Sequence, residues 1–403
     1  MTAGAQPSVG KAERAERRRV LAVSSGAHAL HDGYTDLIYV MLPIWQAEFA
    51  LSYAAIGALR GIFAGTMASL QIPAGLLAER LGPVIVLAAG TGLAGLGYCL
   101  AGMSAGIGML VVALLIGGLG ASTQHPIASA LVARAFAGPR SFKALGTYNF
   151  AGDIGKMSIP AAAAFLLIVL PWRPTLAILG AAGFAAAAAI LLFTPRLPVP
   201  TPPAKTFEPA EGKLLAAKHA FPILLTIGIL DSATRMGFLT FLPFLLVAKG
   251  ASLPLVGIAL TLVFAGGAVG KLVCAFLGAR IGATATMLLT EALTTLAIVA
   301  LLPLPLGWTV AILPIVGIAL NGTSSVLYGS VPDLVEPGRH GRAFGVFYTG
   351  TIGAGAIAPA IYGLAGDALG LTGALIIVAA TVLLTLPLAL ILRPALAAAA
   401  RGA

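Results

Sequence analysis

The sequence predicts an all-α membrane protein of twelve transmembrane helices in two pseudo-symmetric bundles of six. Of the 403 residues, 59% are hydrophobic and only 9% are charged, whereas soluble proteins carry about 25% charged residues. Apolar runs of about 20 residues recur, which is the length of a helix that crosses a bilayer. The alternating strands of an outer-membrane barrel are absent from the pattern.

Charged or Pro- and Gly-rich breaks separate the apolar segments. In chain order, the predicted spans are residues 20–45, 54–78, 84–104, 107–132, 143–169, 174–193, 219–247, 254–277, 284–304, 308–331, 341–366 and 370–393. Prolines and charges between the sixth and seventh spans exclude a further span there.

These segments give a simple domain plan. A basic tail, residues 1–19, precedes a first bundle, 20–193, and a linker, 194–218, leads to a second bundle, 219–393. A short tail, residues 394–403, ends the chain. A signal-peptidase site is the alternative reading of residues 27–29, but the apolar stretch before it is short and interrupted by polar residues.

The basic residues test the number of spans and their orientation. If the N-terminus is cytoplasmic, 18 of the 24 Lys and Arg residues fall in inner loops and tails, and two fall in outer loops. This asymmetry follows the positive-inside rule. It predicts a multi-pass protein of the bacterial cytoplasmic (inner) membrane with both termini in the cytoplasm. It also explains the net charge of +10 without a nucleic-acid partner.

The two halves resemble each other in sequence. "PIWQAEFALSYAAIG" (43–57) aligns with "PFLLVAKGASLPLVG" (243–257) at an offset of 200, and "KALG" (143–146) aligns with "RAFG" (342–345) at an offset of 199. Parallel repeats of six spans predict a substrate site near mid-membrane between two bundles. A channel is the weaker alternative, because no repeated carbonyl filter or ring of acids is present.

Motifs of enzymes and cofactor sites are missing from the sequence. Cys99 and Cys274 both fall inside spans, and the five histidines form no HExxH array. No Walker loop, Rossmann fingerprint or nucleophile elbow occurs. We therefore expect no disulfide, no metal, no cofactor and no enzymatic activity, with a proton gradient or the membrane potential as the energy source.

One loop motif identifies a family resemblance. "GLLAERLG" (75–82) resembles the loop signature between helices two and three of the major facilitator superfamily. The resemblance implies that Gly75, Glu79, Arg80 and Gly82 form a gating loop, and that the fold is the major facilitator fold. Pro83 stands where that family usually has another basic residue.

Two longer stretches resemble the fosmidomycin-resistance group of bacterial exporters. They are "HALHDGYTDLIYVMLPIWQAEFALSYAAIG" (28–57) and "QHPIASALVARAFAGPRSFKALGTYNFAGDIG" (124–155). The second stretch departs from the group, because Asp153 replaces an asparagine and Lys156 follows it. The resemblance implies export of a small anionic drug or metabolite of the phosphonate class.

Nine charged residues fall inside the predicted spans. They are Asp32, Asp36, Arg60, Asp153, Lys156, Asp231, Arg235, Lys271 and Glu291. Each would cost roughly 2.5–3.5 kcal/mol at the bilayer centre. They are therefore expected to pair with one another, to face a water-filled passage or to titrate.

A stripe of titratable groups runs along the first span. His28, Asp32 and Asp36 are spaced by four residues, so they drift only about 80° around a helix. Asp231 lies at the matching place in the seventh span. We predict that these four residues couple transport to protons; the alternative for His28 is a simple hydrogen-bonding role near the inner end of its helix.

The fifth span carries a second polar face. Asn149, Asp153 and Lys156 share it by i+4 and i+3 spacing. Either Lys156 binds an anion that Asp153 replaces between cycles, or Asp153 and Lys156 form an intrahelical pair with a structural role only.

Further substrate-binding candidates lie on other spans. Arg60 is predicted about a third of the way in from the outer face, where it can snorkel, and Lys271 lies deeper toward the inside. Arg235 has Asp231 one turn away, so a structural pair is an equal alternative. Polar groups of the fourth and tenth spans are also candidates, although such groups more often join helices; they are Gln124, His125, Asn321 and Tyr328.

The charges also bound the function. Four internal cations beside five internal acids become cationic when one or two acids are protonated, which suits a small anion. We therefore expect a monomeric, proton-linked exporter of a small anion in the lipid bilayer. The first alternative is a proton-coupled importer of a carboxylate or phosphonate nutrient, and the second is a membrane-embedded enzyme or receptor.

Overall fold

The structure, a computed structural model, describes residues 11–136, 140–195, 219–335 and 340–402. Every regular element in these ranges is helical. The helices are α1 (Lys11–Phe49), α2 (Tyr53–Ser69), α3 (Gln71–Leu81), α4 (Pro83–Gly102), α5 (Ile107–Ala121), α6 (Gln124–Ala135), α7 (Arg140–Val169), α8 (Trp172–Phe193), α9 (Ala220–Ala248), α10 (Leu253–Ile281), α11 (Ala283–Leu301), α12 (Leu306–Ser330), α13 (His340–Leu383) and α14 (Thr385–Gly402).

These helices make twelve membrane spans. Within the described residues, nine helical stretches are long and apolar enough to cross a membrane, and the α2–α3 pair, bent by 43°, makes a tenth. The last of the nine, residues 342–398, is 57 residues long and breaks at Gly370, so it contains two spans. Helix α1 is the remaining, more polar span. The prediction of an all-α fold with twelve spans is confirmed.

The helix ends follow local sequence. Gly82 and Gly282 end α3 and α10 with φ values of +93° and +86°, a conformation that costs glycine least because it has no Cβ. Gly370, at φ +76°, breaks α13 in the same way. The first two glycines occupy equivalent positions in the two halves, so the repeat extends to backbone geometry.

The described residues nearest to each terminus are helical. Helix α1 begins at Lys11, inside the expected basic tail, and α14 continues to Gly402. With 39 residues, α1 is about 58 Å long, which exceeds the thickness of the hydrocarbon core. Nearly all of the predicted linker, residues 196–218, lies outside the described residues.

The two bundles pack against each other through matched pairs of helices. Helix α2 packs against α13, and α7 packs against α10. A Cβ added at Gly57 would lie 2.1 Å from the carbonyl oxygen of Pro359, and one added at Gly257 would lie 3.2 Å from that of Pro160. Because these glycines and prolines are equivalent by the repeat, the interface is pseudo-symmetric.

The interface is tight at one end of the molecule. We call the end where α1 begins and α14 ends the terminal side, and the opposite end the far side. Asp367 of α13 accepts hydrogen bonds from the backbone N–H groups of Tyr53 (2.6 Å) and Ala54 (3.1 Å) at the far end of α2. Gly363 also meets the Tyr53 backbone directly. The far side is therefore closed.

Candidate functional site

A buried polar cluster lies in the first bundle, on the inward face of α1. His28, His31 and Asp32 sit at i, i+3 and i+4, so one helix face carries all three, and all are buried. The Asp32 Oδ1 atom lies 3.3 Å from His28 Nε2. Its Oδ2 atom lies 3.4 Å from the Lys156 Nζ atom of α7. Asp32 therefore connects α1 to α7.

Neighbouring helices complete this cluster. The His28 Nδ1 atom lies 2.9 Å from the carbonyl oxygen of Tyr148, whose ring stacks on the imidazole at 4.0 Å. The His31 Nε2 atom lies 3.3 Å from the Nε2 atom of His125, at the start of α6. A Cβ at Gly152 would approach Asp32 Oδ2 to 2.5 Å, so glycine there leaves the carboxylate its space.

A second ion pair crosses between the bundles. The Lys271 Nζ atom of α10 donates to both carboxylate oxygens of Asp153 in α7, at 2.6 and 2.9 Å. The Lys271 side chain is 41% exposed and that of Lys156 is 33% exposed. Among the described residues, no hydrogen bond or ion pair joins the bundles nearer the terminal side. Both lysine side chains are therefore partly accessible.

This arrangement decides between two expectations for α7. Asp153 and Lys156 do not pair with each other: Asp153 pairs with Lys271, and Lys156 pairs with Asp32. The expectation of an intrahelical pair was wrong, because partners on α1 and α10 approach more directly than the neighbour one turn away. Asn149, predicted on the same face, is exposed and makes no hydrogen bond within the described part of the chain.

Arg60 corrects a second expectation. It does not snorkel, because only 3% of the residue is exposed. Its guanidinium lies 5.0 Å from the centre of the Tyr39 ring, while its Nε and Nη1 atoms have no hydrogen-bond partner among the described residues. Asp36, on the same stripe as Asp32, is buried and makes no ion pair in the described ranges.

The second bundle holds its own buried charges. The Arg235 Nη2 atom lies 3.6 Å from Asp231 Oδ2, so the alternative of a local pair on α9 is the observed one. Glu291 of α11 is buried, and its Oε1 atom has no hydrogen-bond partner in the described residues. Unlike Asp153–Lys271, the Asp231–Arg235 pair lies on one helix and joins no other element.

The remaining substrate candidates contact helices. Asn321 donates to the carbonyl oxygen of Gly317, and Tyr328 stacks on Tyr348 with ring centres 4.8 Å apart. Gln124 is buried, and its Nε2 atom lacks a hydrogen-bond partner among described residues. Asn321 and Tyr328 thus contact neighbouring turns or helices, which is the alternative that the sequence analysis gave for such polar groups.

The predicted gating loop lies on the terminal side at the end of α3. Glu79 and Arg80 are exposed, and neither forms an ion pair within the residues that the structure describes. A Cβ added at Gly75 would meet open space. Within the described residues, the contacts expected of a gating loop are therefore not seen in this conformation.

The family is shown by sequence. The model of the Major Facilitator Superfamily matches residues 25–230 and again residues 224–402, which together cover both bundles. The chain belongs to the Major Facilitator Superfamily. Members of this superfamily are transporters, so the protein is a multi-pass membrane transporter and not an enzyme. The two successive matches also follow the internal repeat.

Individual relatives agree with this assignment. The chain is 26% identical over 376 residues to the fosmidomycin resistance protein of Escherichia coli (strain K12), covering 90% of this chain and 91% of that protein. It is 27% identical over 138 residues to a probable L-galactonate transporter of the same organism, covering 34% of this chain and 30% of that one.

Solved structures of the superfamily share the fold. A bacterial homolog of the human lysosomal transporter Spinster, in an inward-facing and unoccupied conformation, superposes with a TM-score of 0.79 at 18% identity, covering 98% of this chain and 99% of that one. A mutant form of the nucleoside transporter NupG superposes with a TM-score of 0.77 at 16% identity, covering 94% of this chain and 99% of that one.

Sequence reasoning missed some residues of the site. His31 lies in the stretch of residues 28–57 quoted above, and its i+3 spacing from His28 was the available signal. Tyr148 and Gly152 carried no such signal, because a carbonyl acceptor and a missing side chain become visible only when α7 lies against α1.

Proposed function

We propose that this superfamily member is a proton-linked exporter of a small anion, of the phosphonate or carboxylate class, that works by alternating access. The Asp153–Lys271 ion pair between the bundles carries the proposal. An anion that enters from the terminal side can replace Asp153 as the partner of Lys271. The contact that holds the bundles would then respond directly to substrate.

Lys156 adds a second positive charge to the same region. Its partner, Asp32, is only 10% exposed, and Asp32 also contacts His28. An anion that draws Lys156 away leaves the Asp32 carboxylate without its cation, and a proton can then replace that cation. Asp36 and Asp231 are further proposed proton carriers, because both are buried carboxyl groups on the inward faces of α1 and α9.

Orientation follows from the distribution of basic residues. If the terminal side is cytoplasmic, the positive-inside rule is satisfied, and we place both termini in the cytoplasm of a bacterial cell, with the chain in its inner membrane. The closed far side then faces outward, so the conformation is inward-facing. The similarity to the Spinster homolog in its inward-facing conformation supports this reading.

Two arguments support export. The alignment with the fosmidomycin resistance protein, at 26% identity, covers nine-tenths of the chain. The inside-negative potential also favours the exit of an anion, by about 2.3 kcal/mol per charge per 100 mV. A proton-coupled importer is the alternative. The exchange at Asp32 described above fits co-transport, because an anion that captures Lys156 frees the carboxylate to take up a proton together with the anion, whereas export by exchange requires the proton and the anion to compete.

Vesicle transport tests the proposal. Labelled fosmidomycin and a set of organic acids would be offered to inverted and right-side-out vesicles, with and without a pH gradient. Export predicts accumulation in inverted vesicles that ends when the gradient is collapsed. Accumulation in right-side-out vesicles would establish the importer instead, and binding without accumulation in either would refute transport of these anions.

Variants connect the transport to the site. Lys271→Gln and Lys156→Gln should each lower anion binding at least tenfold, because each removes a solvent-reachable cation from the pathway. Lys143→Gln is the matched control, since Lys143 is an exposed lysine on the same helix as Lys156. Equal affinity in all three variants would exclude both lysines from the substrate site.

A further inference from the structure

The polar cluster of the first bundle has the geometry of a metal site. One potential ligand atom from each of His28, Asp32 and His125 lies within 4.8 Å of the other two. Two neighbouring separations are 3.3 Å: His28 Nε2 to Asp32 Oδ1, and His31 Nε2 to His125 Nε2. Ligand atoms held 2.0–2.1 Å from a tetrahedral Zn²⁺ ion are separated by about 3.3 Å.

Hydrogen bonding assigns the protons of His28. A carbonyl oxygen only accepts, so the Nδ1 atom that contacts the Tyr148 carbonyl must carry the proton. In the neutral ring, Nε2 is then an unprotonated acceptor. It is buried and has no hydrogen-bond partner among the described residues. Histidines that ligate metals commonly donate their other ring N–H to a backbone carbonyl in this way.

The neutral Nε2 atom faces a second acceptor. Asp32 Oδ1 is a carboxylate oxygen, and two acceptors 3.3 Å apart are stabilised when a proton or a metal ion lies between them. Lys156 does not supply that cation, since its ammonium contacts the other oxygen, Oδ2. The oxygen on the histidine side therefore remains available for coordination.

The cluster also has rigidity and room. The Tyr148 ring stacks on His28 with planes 12° apart, which fixes the imidazole. Glycine at position 152 leaves this space free, because a Cβ there would collide with Asp32 and His28. A cavity of about 10 Å³, lined in part by His31 and Gln124, lies beside the cluster, and a volume of that order holds a single water-sized group.

We propose that His28, Asp32 and His125 form a binding site for one divalent transition-metal ion, with Zn²⁺ as the expected ion. Imidazole and carboxylate ligands suit Zn²⁺, whereas Mg²⁺ and Ca²⁺ prefer all-oxygen sites. The sequence did not reveal the site, because His125 reaches His28 and Asp32 only when α6 packs against α1.

Occupancy has a consequence for transport that rests on the proposed function. A bound Zn²⁺ ion would hold the Asp32 carboxylate and repel the Lys156 ammonium, 3.4 Å from the same carboxylate. Asp32 could then no longer exchange its cation during the cycle. Zn²⁺ should therefore inhibit pH-driven transport.

Calorimetry on the full, detergent-purified chain tests the site without any transport measurement. After chelator treatment, the wild type should bind one Zn²⁺ ion per chain and no Mg²⁺. His125→Gln and His28→Gln should each weaken Zn²⁺ binding at least tenfold. The matched control is His219→Gln, because His219 precedes α9 in the second bundle; it should bind as the wild type does. Equal Zn²⁺ affinity in all four proteins, or no binding by the wild type, would overturn the proposal.

Two measurements on the wild type test the metal site even if the variants fail to fold. X-ray absorption should give nitrogen and oxygen ligands near 2.0 Å, and sulfur ligands near 2.3 Å would place the ion at cysteines and overturn the assignment. Zn²⁺ should also protect His28 and His125 from acylation by diethylpyrocarbonate. Failure of fosmidomycin transport with intact Zn²⁺ binding would count against the proposed function alone.

Discussion

At the residue scale, most of the charges predicted inside the spans form ion pairs. Asp32–Lys156, Asp153–Lys271 and Asp231–Arg235 account for six of the nine charged residues predicted inside the spans. Removing one member of a buried pair leaves the other uncompensated, which costs more than the pair contributes. The paired residues are therefore sensitive to single substitutions and tolerant of matched double ones.

A double-mutant cycle on Asp32 and Lys156 tests this. Asp32→Asn and Lys156→Gln should each lower the unfolding temperature in detergent, and the double variant should recover part of the loss, with a coupling energy of about 0.5–3 kcal/mol. Asp32→Asn should also abolish transport driven by a pH gradient.

The control for this cycle is an exposed pair on the same helix. Arg17 contacts Glu13 one turn away on the surface of α1, and Arg17→Gln should change stability by less than about 1 kcal/mol. Additive effects of Asp32→Asn and Lys156→Gln would mean that the two side chains do not interact energetically.

At the scale of elements, the bundles close by direct backbone contact. Helix α2 meets α13 through Gly57, Gly61 and Gly363, at positions where any Cβ would collide with backbone atoms of the other helix. Small residues allow close helix contacts in membranes, where packing rather than the hydrophobic effect drives association. These glycines therefore stabilise the conformation that is closed on the far side.

Gly57→Ala should shift the protein away from this conformation. The added Cβ would lie 2.1 Å from the Pro359 carbonyl oxygen, and overpacking of this kind costs about 1–3 kcal/mol. Spin labels at Ala50 and Ser252, in a background without Cys99 and Cys274, should report a longer far-side distance. Gly353→Ala is the control, because a Cβ there meets nothing within 4 Å; the same distance in both variants would refute the gate.

The Asp367 contact makes far-side closure sensitive to acid. Asp367 is an exposed residue between the last two spans. Although a small loss of hydration acts to raise its pKa, the N–H groups of Ala54 and Tyr53 hold the pKa below the ordinary 3.8. The carboxylate is thus favoured in the closed state. The stabilisation of the closed state by this carboxylate is fully present at pH values above the ordinary pKa, and it is lost as the pH falls through the lowered pKa.

Asp367→Ala should weaken closure at neutral pH by about 1 kcal/mol, because it removes both acceptors of the Tyr53 and Ala54 N–H groups, as the loss of an N-terminal cap does. The wild type should open on the far side as the pH falls below the ordinary pKa of 3.8 and through the lowered value, whereas the variant should show no such step. The same pair of spin labels, measured from pH 7 down to a pH below the lowered pKa, provides the test. An identical pH profile in both proteins would show that another group titrates.

At the scale of the whole molecule, the proposed function depends on exchange between two arrangements of the bundles. In the observed conformation, Glu79 at the end of α3 is exposed and has no ion-pair partner among the described residues. We therefore expect a gating contact of this residue to form in the other conformation, in which the terminal side closes.

Glu79→Ala should slow the exchange while leaving substrate affinity unchanged, because the residue touches no charged group of the polar cluster. Transport rate and equilibrium binding, measured on the same preparation, separate the two effects. Glu13→Ala, which removes another exposed acid on the terminal side, should alter neither quantity. A loss of affinity without a change in rate would contradict a gating role.

Hydrophobicity, the positive-inside pattern and the internal repeat were enough to predict the twelve spans and the two bundles. Each of these signals is local, or is a comparison of two segments, so no knowledge of packing is needed to read it. The family motif at residues 75–82 and the buried charged residues were visible for the same reason.

Only the tertiary structure decided which charged residues form ion pairs. Helical spacing alone predicts that Lys156 contacts Asp153. In the packed structure, Lys156 contacts Asp32 and Asp153 contacts Lys271. It likewise buried Arg60 beside Tyr39 and brought His125 to His31. A sequence determines which groups share a helix face, whereas the strength of a charge contact depends on distances between helices, and those exist only after the bundles have assembled.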